Sequence, residues 1–318
     1  MEKSFIIEAK EVRKCFSNHV ALNNINLKVP KGSVFGLLGP NGAGKTSLIR
    51  IINQITAPDS GEILIEGSPL KRDHIKDIGY LPEERGLYKK MKVGEQALYF
   101  AMLKGMDKKE AKSKLLHWFE KFEINNWWNK KIEDLSKGMA QKIQFITTII
   151  HEPKLLILDE PFSGFDPINT DLIKQEILDL KEKGTSIILS THNMNSVEEI
   201  CDHIALIDQS NKILEGKVNE IKEQYSEGLW TITFKGNVVS FANSVWGGWS
   251  LLHQEQLKDD VFKSTIQLGE NLKLNDFIKG IIDAVEIIEI QKVIPSMNEI
   301  FIKAIQTSNK TENHKKDE

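Results

Sequence analysis

The chain has 318 residues, of which 40% are hydrophobic and 27% are charged. These proportions are ordinary for a soluble globular protein, and the length suits one large and one smaller domain. The formal net charge of -3 argues against a general affinity for nucleic acid. Cys15 and Cys201 are too few for a disulfide framework, and no apolar run approaches the roughly 20 residues of a membrane helix. Because the N-terminus also lacks the form of a signal peptide, we expect a cytoplasmic chain.

The first part of the chain has the pattern of strands around one short helix. Segments 5–12, 25–29 and 62–66 alternate or run apolar and end in turn residues, which indicates β-strands. Segment 33–38 has the apolar character of a buried strand, and 47–52 has the spacing of a helix. A glycine-rich stretch joins these last two elements.

This joining stretch fits the phosphate-binding pattern G-x-x-x-x-G-K-[ST]. Its glycines allow a tight turn that directs backbone N–H groups at phosphate oxygens, and the helix that follows adds its positive N-terminus. Lys45 is expected to reach the β- and γ-phosphates, and Thr46 to supply a hydroxyl to Mg²⁺. The alternative is a glycine-rich surface turn, which does not need the strand–loop–helix context. The sequence therefore predicts a nucleoside triphosphate site formed by Gly39, Pro40, Asn41, Gly42, Ala43, Gly44, Lys45, Thr46 and Ser47.

The middle of the chain alternates helical stretches with short apolar runs. Segment 92–126 is amphipathic at helical spacing, whereas 155–158 and 186–190 are typical of parallel strands in an α/β core. Asp159 and Glu160 follow the first of these runs. At a strand end, Asp159 can hold Mg²⁺ through water and Glu160 can polarise an attacking water. The alternative is that the two acids mark a solvated turn.

After Gly216 the composition changes, and residues 217–228 have the pattern of a polar helix or linker. The remaining pattern predicts an α+β module of order βαββαβ, the ferredoxin-like arrangement, and then a helix at 297–306. The tail 306–318 is polar and without large apolar residues, so we expect it to be disordered. The predicted strands of the module are 229–234, about 249–256, 261–268 and 285–293, and its helices are about 237–246 and 271–283.

The stretch that begins at Leu135 resembles the L-S-G-G-Q signature of the ABC-transporter ATPase family. The match covers Leu135, Ser136 and Gly138, whereas Lys137 and Met139 stand where the family most often has Gly and Gln. In that family the serine hydroxyl and the amides after it bind the γ-phosphate of ATP held by the other subunit. The resemblance implies this role for Ser136 and Gly138. The alternative for Ser136 is a plain helix N-cap.

Four further residues match motifs of the same family in the expected order. The resemblance implies that Phe16 stacks on adenine, that Glu83 replaces the Q-loop glutamine as a Mg²⁺ ligand, and that His192 contacts the γ-phosphate. Asp166 ends the stretch 163–166, which is similar to the D-loop that links the two sites of a dimer. Taken alone, Phe16 is more typical of a core or edge-strand position, and His192 of a structural histidine.

By resemblance, the fold class is α/β: a P-loop ABC ATPase core with an antiparallel β subdomain and a helical subdomain, plus a small C-terminal α+β module. The implied boundaries are 1–220 for the nucleotide-binding domain, with the helical subdomain at about 92–134, then 225–305 for the accessory domain and 306–318 for the tail. Catalysis is expected from Glu160, His192 and Lys45, and Mg²⁺ binding from Thr46, Glu83 and Asp159.

The run from Leu81 to Tyr88 resembles a branch of exporter ATPases that includes sodium-export and drug-export subunits. The resemblance implies a Mg²⁺-dependent ATPase that binds ATP as a head-to-tail homodimer, or with a paired ATPase subunit. It also implies separate integral membrane permease subunits and a peripheral position on the inner face of the cell membrane. No nucleic acid partner is expected, and a soluble ABC ATPase acting on ribosomes or DNA is the alternative. The cargo (ion, drug or lipid-like) is left open because the membrane partner selects it.

Overall fold

A computed structural model describes residues 4–84, 86–244, 249–269 and 273–314, with side chains of the last helix described as far as 308. The chain forms two compact units. The first consists of Met1–Val218 with Phe301–Glu318, and the second of Asn219–Ile300.

The secondary structure alternates strands and helices through most of the chain. The strands are β1 (Phe5–Phe16), β2 (His19–Pro30), β3 (Val34–Leu38), β4 (Ser60–Ile65), β5 (Ser68–Pro69), β6 (Ile78–Leu81), β7 (Leu155–Asp159), β8 (Ser186–Ser190), β9 (His203–Asp208), β10 (Asn211–Lys217), β11 (Leu229–Gly236), β12 (Trp249–Lys258), β13 (Val261–Leu268) and β14 (Val285–Lys292). The α-helices are α1 (Lys45–Ile52), α2 (Val93–Leu103), α3 (Lys108–Lys121), α4 (Lys137–Ile149), α5 (Pro167–Glu182), α6 (Met194–Ile200), α7 (Val218–Gln224), α8 (Val238–Ser244), α9 (Leu274–Ile281) and α10 (Met297–His314). Short 3-10 helices cover Arg72–Asp77, Asn125–Trp127 and Ile132–Asp134.

The centre of the first unit is a six-stranded sheet of order β10-β9-β3-β8-β7-β6. All its strands run parallel except β10, which pairs antiparallel with β9. Every residue of β3, β7 and β8 is buried, as expected for strands covered on both faces. The predicted parallel α/β core is therefore confirmed. Since the carboxyl ends of parallel strands lie at one edge, the residues that follow β3, β6, β7 and β8 are brought together there.

A second sheet in this unit is antiparallel, with strand order β2-β1-β4-β5. Its inward residues, such as Ile7, Val12 and Leu27, share one buried cluster with Phe35 of β3 and Leu48 of α1. This packing confirms the predicted antiparallel β subdomain. It also brings the end of β1, with Phe16, to the phosphate-loop side of the core, since the two line one cavity.

Helices α2, α3 and α4 form a helical subdomain between β6 and β7. Helix α3 buries Ala111, Leu115 and Phe119, a stripe with the period of an amphipathic helix. Trp128 packs against Gly94, because a Cβ there would lie 2.3 Å from the indole. Its ring also lies edge-on to that of Phe119, with centroids 5.3 Å apart, so Trp128 is part of the packing of this subdomain.

The second unit has the predicted βαββαβ order, with a sheet of order β12-β13-β11-β14 whose neighbouring strands are all antiparallel. Ile232, Phe234, Phe241, Ile266 and Phe277 lie in its buried cluster. The rings of Phe234 and Phe241 stack with centroids 4.1 Å apart. These contacts join β11 to α8, and the ferredoxin-like arrangement is confirmed.

The last helix differs from the sequence-based expectation. The pattern predicts a helix at 297–306 and a disordered tail after it, whereas α10 continues to His314. Segment 306–314 contains neither Gly nor Pro, so nothing ends the helix where its apolar residues stop. Residues 315–318 of the predicted tail lie outside the described residues. The second unit ends at Ile300, before the predicted boundary at 305.

Candidate nucleotide site

The loop between β3 and α1 can be formed only with glycine at two positions. Gly39 has a φ of 145° and Gly44 a φ of 116°, in the region that side chains disfavour. A Cβ on Gly39 would lie 2.0 Å from the carbonyl oxygen of Ile207, and one on Gly44 would lie 2.3 Å from that of Ala21. The turn that the motif predicts is thus fixed by close approach of the backbone on both sides.

Lys45 lies inside this loop. Its Nζ donates to the carbonyl oxygens of Gly39, at 2.7 Å, and Pro40, at 3.0 Å. Burial lowers the pKa of Lys45, while the carboxylates of Glu160, Asp159 and Glu83 act in the opposite direction. The ammonium group is therefore held where phosphate oxygens of a nucleotide would approach.

Asp159 and Glu160 at the end of β7 have different surroundings. Asp159 is buried, and burial raises its pKa, with Glu83 and Glu160 adding to the effect and Lys45 opposing it. Glu160 has a φ of 49°, a conformation that costs free energy for a residue with a side chain, and its side chain is only 14% exposed. The two acids therefore belong to a structured site rather than to the solvated turn that was the alternative.

The residues after β8 hold the Glu160 carboxylate. The backbone N–H of His192 donates to Oε1 at 3.0 Å, and the Thr191 hydroxyl donates to Oε2 at 3.2 Å. Nδ1 of His192 lies 2.7 Å from the same Oε1. His192 thus contacts the candidate base directly, and its ring is exposed toward the cavity that the acids line.

Most of the predicted site residues meet in one cavity of about 390 Å³. Its lining consists of Phe16, His19, Ala21, Asn41, Gly42, Gly44, Lys45, Thr46, Ser47, Glu83, Asp159, Glu160 and His192. Phe16 is 44% exposed, so it is not a core residue. His19 and Ala21 line the cavity although they belong to none of the predicted motifs. His19 is brought there because it pairs with Phe16 across the β1–β2 hairpin.

Other predicted residues lie outside this cavity. Pro40 and Ala43 line a neighbouring cavity of about 550 Å³ on the phosphate loop, and Gly39 contributes its carbonyl to Lys45. Ser136 caps α4, because its hydroxyl accepts from the N–H of Met139 at 3.3 Å. Asp166 caps α5 by accepting from the N–H of Asn169 at 2.9 Å.

The caps explain where the signature and D-loop residues lie. Hydrogen bonding from the Asn169 backbone lowers the pKa of Asp166, which keeps its carboxylate charged at the helix start. Gly138 faces the D-loop, since a Cβ on it would lie 3.6 Å from the carbonyl oxygen of Gly164. Ser136, Gly138 and Asp166 are therefore not brought to the phosphate loop of their own chain.

The residues predicted to hold Mg²⁺ fit a hard cation in their chemistry. Thr46, Glu83 and Asp159 all line the 390 Å³ cavity and all offer oxygen. Within the described ranges, no group of three or more His, Cys, Asp and Glu side chains is arranged to bind a metal. Mg²⁺ is commonly bound by one or two carboxylates together with substrate phosphates and water, so this donor set suits an ion that arrives with a nucleotide.

A separate cleft of about 440 Å³ lies between the helical subdomain and the core. It is largely apolar, and its lining includes Ile55, Ile75, Tyr80, Leu87, Phe100 and Leu103. Ile55 and Leu103 are 61% and 64% exposed. An exposed apolar cleft of this kind is typical of a protein contact.

Comparisons with known proteins agree with this geometry. A family model for ABC transporters matches residues 22–163, and a model for the C-terminal domain of DrrA1-3-like ATP-binding proteins matches 216–305. The ABC transporter ATP-binding protein YhaQ of Bacillus subtilis is 41% identical over 299 residues, which cover 92% of this chain and 96% of YhaQ. Nod factor export ATP-binding protein I of Cupriavidus metallidurans is 33% identical over 219 residues, 68% of this chain and 72% of that protein.

Solved structures show the same fold. The structure of an ATP-binding subunit of an ABC transporter superimposes with a TM-score of 0.65 and 28% identity, over 69% of this chain and 93% of that one. Among the helices that are described, none has the length and apolar character needed to cross a membrane.

Proposed function

Since this chain belongs to the ABC transporter ATP-binding proteins, we propose that it binds and hydrolyses ATP to power an exporter whose membrane-spanning subunits are separate chains. The observation that carries the proposal is the single cavity shared by the phosphate loop, Asp159, Glu160 and His192. The name of the Nod factor export relative supports export as the direction of transport.

The cavity suggests how the chain's own groups act on ATP. Phe16 stacks on the base, and Lys45 exchanges the loop carbonyls for phosphate oxygens and balances the charge that develops there. Glu160 orients or deprotonates the attacking water. His192 steadies both Glu160, through the 2.7 Å contact, and the γ-phosphate.

Mg²⁺ is the proposed cofactor. Thr46, Glu83 and Asp159 would hold it, and when bound it neutralises phosphate charge. The raised pKa of Asp159 reflects a buried carboxylate that lacks full compensation of its charge. A cation at this position would stabilise its ionised form.

A second ATPase chain completes the proposed site. Ser136 and Gly138 lie outside the cavity of their own chain, so within the proposal they serve the ATP of a partner, either a second copy or a paired subunit. ATP would then join two chains head to tail, and hydrolysis would release them.

The apolar cleft is the proposed contact for the membrane subunits. Two of its exposed residues are Ile55, from the core, and Leu103, from the helical subdomain. The contacts of a segment bound there would therefore depend on the relative position of the core and the helical subdomain. Within the proposal, the chain lies at the inner face of the membrane. The cargo is not assigned.

The test is capture of the membrane partner. A tagged chain should retain a protein with many membrane-spanning helices from detergent-solubilised membranes of the cells that express it. Leu103→Asp should abolish retention and leave ATP binding unchanged, because it places a charge in the apolar cleft. Leu116→Asp is the matched control, since Leu116 is also exposed on the helical subdomain but does not line the cleft. Equal retention by the two variants, or no such protein in either, contradicts the proposal.

A further inference from the structure

Two residues that depart from the family motifs line the same cavity. Glu83 and Lys137 stand where the family most often has uncharged residues. Both border a space of about 290 Å³ next to the 390 Å³ cavity described above, which is the proposed nucleotide cavity. The lining of the smaller space also includes Glu84, Asp159, Glu160 and Ser163. Lys137 is the one cation among the described residues of this lining.

Contact with the D-loop limits where Lys137 can lie. A Cβ built on Gly164 would lie 2.5 Å from Cε of Lys137, 2.7 Å from Cδ and 3.0 Å from Nζ. The stem of the lysine therefore lies across the bare backbone of Gly164, and any larger residue there would displace it. Lys137 lines the cavity with its stem held against Gly164, although the side chain as a whole is exposed.

This cavity carries more negative than positive charge, and Lys45, which lies close to Glu83, Asp159 and Glu160, offsets part of it. Four carboxylates border the cavity, and the buried Asp159 already feels the repulsion of Glu83 and Glu160. A polyphosphate entering next to them adds further negative charge. Opposite charges a few ångströms away reduce such repulsion, and the effect is moderate where water has access.

We propose that Lys137 is a positioning residue whose charge offsets that of Glu83, so that the acidic cluster and the phosphates of ATP can occupy the same site. The inference rests on the proposed function, because it requires ATP in the neighbouring cavity. Lys137 would then act on the ATP of its own chain, whereas the neighbouring Ser136 is proposed to serve the ATP of a partner.

Binding of ATP in EDTA, measured by calorimetry at concentrations where light scattering shows a monomer, tests this role without metal, hydrolysis or a partner. Lys137→Met keeps the length of the stem but removes the charge, so it should weaken binding by about three- to tenfold. Glu83→Gln should strengthen binding by a similar factor. The double variant should bind within about twofold of wild type, since the two charge changes cancel.

Controls separate charge from packing. Lys137→Arg should bind like wild type, and so should Lys112→Met, which removes an exposed lysine of α3 that does not border the cavity. The Lys137→Met defect should fall below about twofold when salt is raised from about 0.02 M to 0.5 M, because screening weakens exposed charges. If the loss of ATP affinity in Lys137→Met does not change with salt, or if the double variant binds ATP as weakly as Lys137→Met, the inference is overturned. If the wild-type chain binds no ATP at all, the proposed function fails instead.

Discussion

Two sets of motif residues in the first unit differ in how far one chain assembles them. Lys45, Asp159 and His192 lie at or beyond the carboxyl ends of parallel strands and line one cavity, whereas Ser136 and Asp166 cap the starts of α4 and α5. The cause is topological, since the strands of the parallel sheet end at one edge, whereas Ser136 precedes a helix of the helical subdomain and Asp166 lies further along the chain from the end of β7. The sheet thus preorganises one half of a phosphate site, and we propose that a second chain supplies the other.

Glu160→Gln tests the preorganised half and should have the largest effect. Glutamine keeps the shape but cannot accept a proton, so ATP hydrolysis should fall by roughly 10²–10⁴-fold while ATP binding remains. Phosphate release measures ATP hydrolysis, and a binding titration measures the affinity for ATP. Glu182→Gln, at the exposed end of α5, should turn over like wild type. Normal turnover by Glu160→Gln would remove Glu160 from the proposed role.

Ser136→Arg tests the half that a partner would supply. Added to Glu160→Gln, it should weaken the ATP-dependent dimer by about 100-fold, since a buried charge without a partner costs roughly 3 kcal/mol. Each monomer should still bind ATP. Light scattering with ATP measures the dimer, and Ser113→Arg, on the exposed side of α3, is the control that should still dimerise. Dimers of the Ser136→Arg protein would contradict the head-to-tail arrangement.

Phe16→Ala tests how far the preorganised half extends toward the base. Loss of stacking should weaken ATP binding by about 1–3 kcal/mol, measured by calorimetry. Phe5→Ala removes a ring from the other end of β1, outside the cavity, and should leave the affinity unchanged. Equal affinities for Phe16→Ala and wild type would mean that another group holds adenine.

The parts of this fold that the sequence predicts are those encoded by local pattern. Buried runs such as 155–158 mark parallel strands, and the glycines of the phosphate loop mark a turn that no other residue allows, as the 2.0 Å approach at Gly39 shows. The βαββαβ order of the second unit follows in the same way from alternating periods. Because parallel strands end at the same edge of a sheet, the predicted strands are enough to place Asp159 and His192 at one edge.

Contacts between distant segments could not be predicted in this way. Nothing in the sequence around Lys137 indicates that its stem crosses Gly164, because that contact depends on how α4 packs beside the D-loop. The bond between His192 and Glu160 joins the ends of two strands and requires their exact register. The extension of α10 to His314 differs from the predicted disorder because a lack of apolar residues does not end a helix, and segment 306–314 contains neither Gly nor Pro.

The position of Lys45 has a thermodynamic consequence. Its ammonium group is buried and already bonded to two loop carbonyls, so most of its hydration is lost when the chain folds and not when a ligand arrives. Ligand oxygens need only replace carbonyl oxygens, one set of hydrogen bonds for another. The free energy of removing this water therefore does not reduce the affinity for an anion. It instead makes the loop of the free chain less stable. Occupancy of the loop should raise the unfolding temperature in step with ATP concentration, because ligand bound only to the folded chain adds RT ln(1 + L/Kd), where L is the free ligand concentration, to its free energy of unfolding.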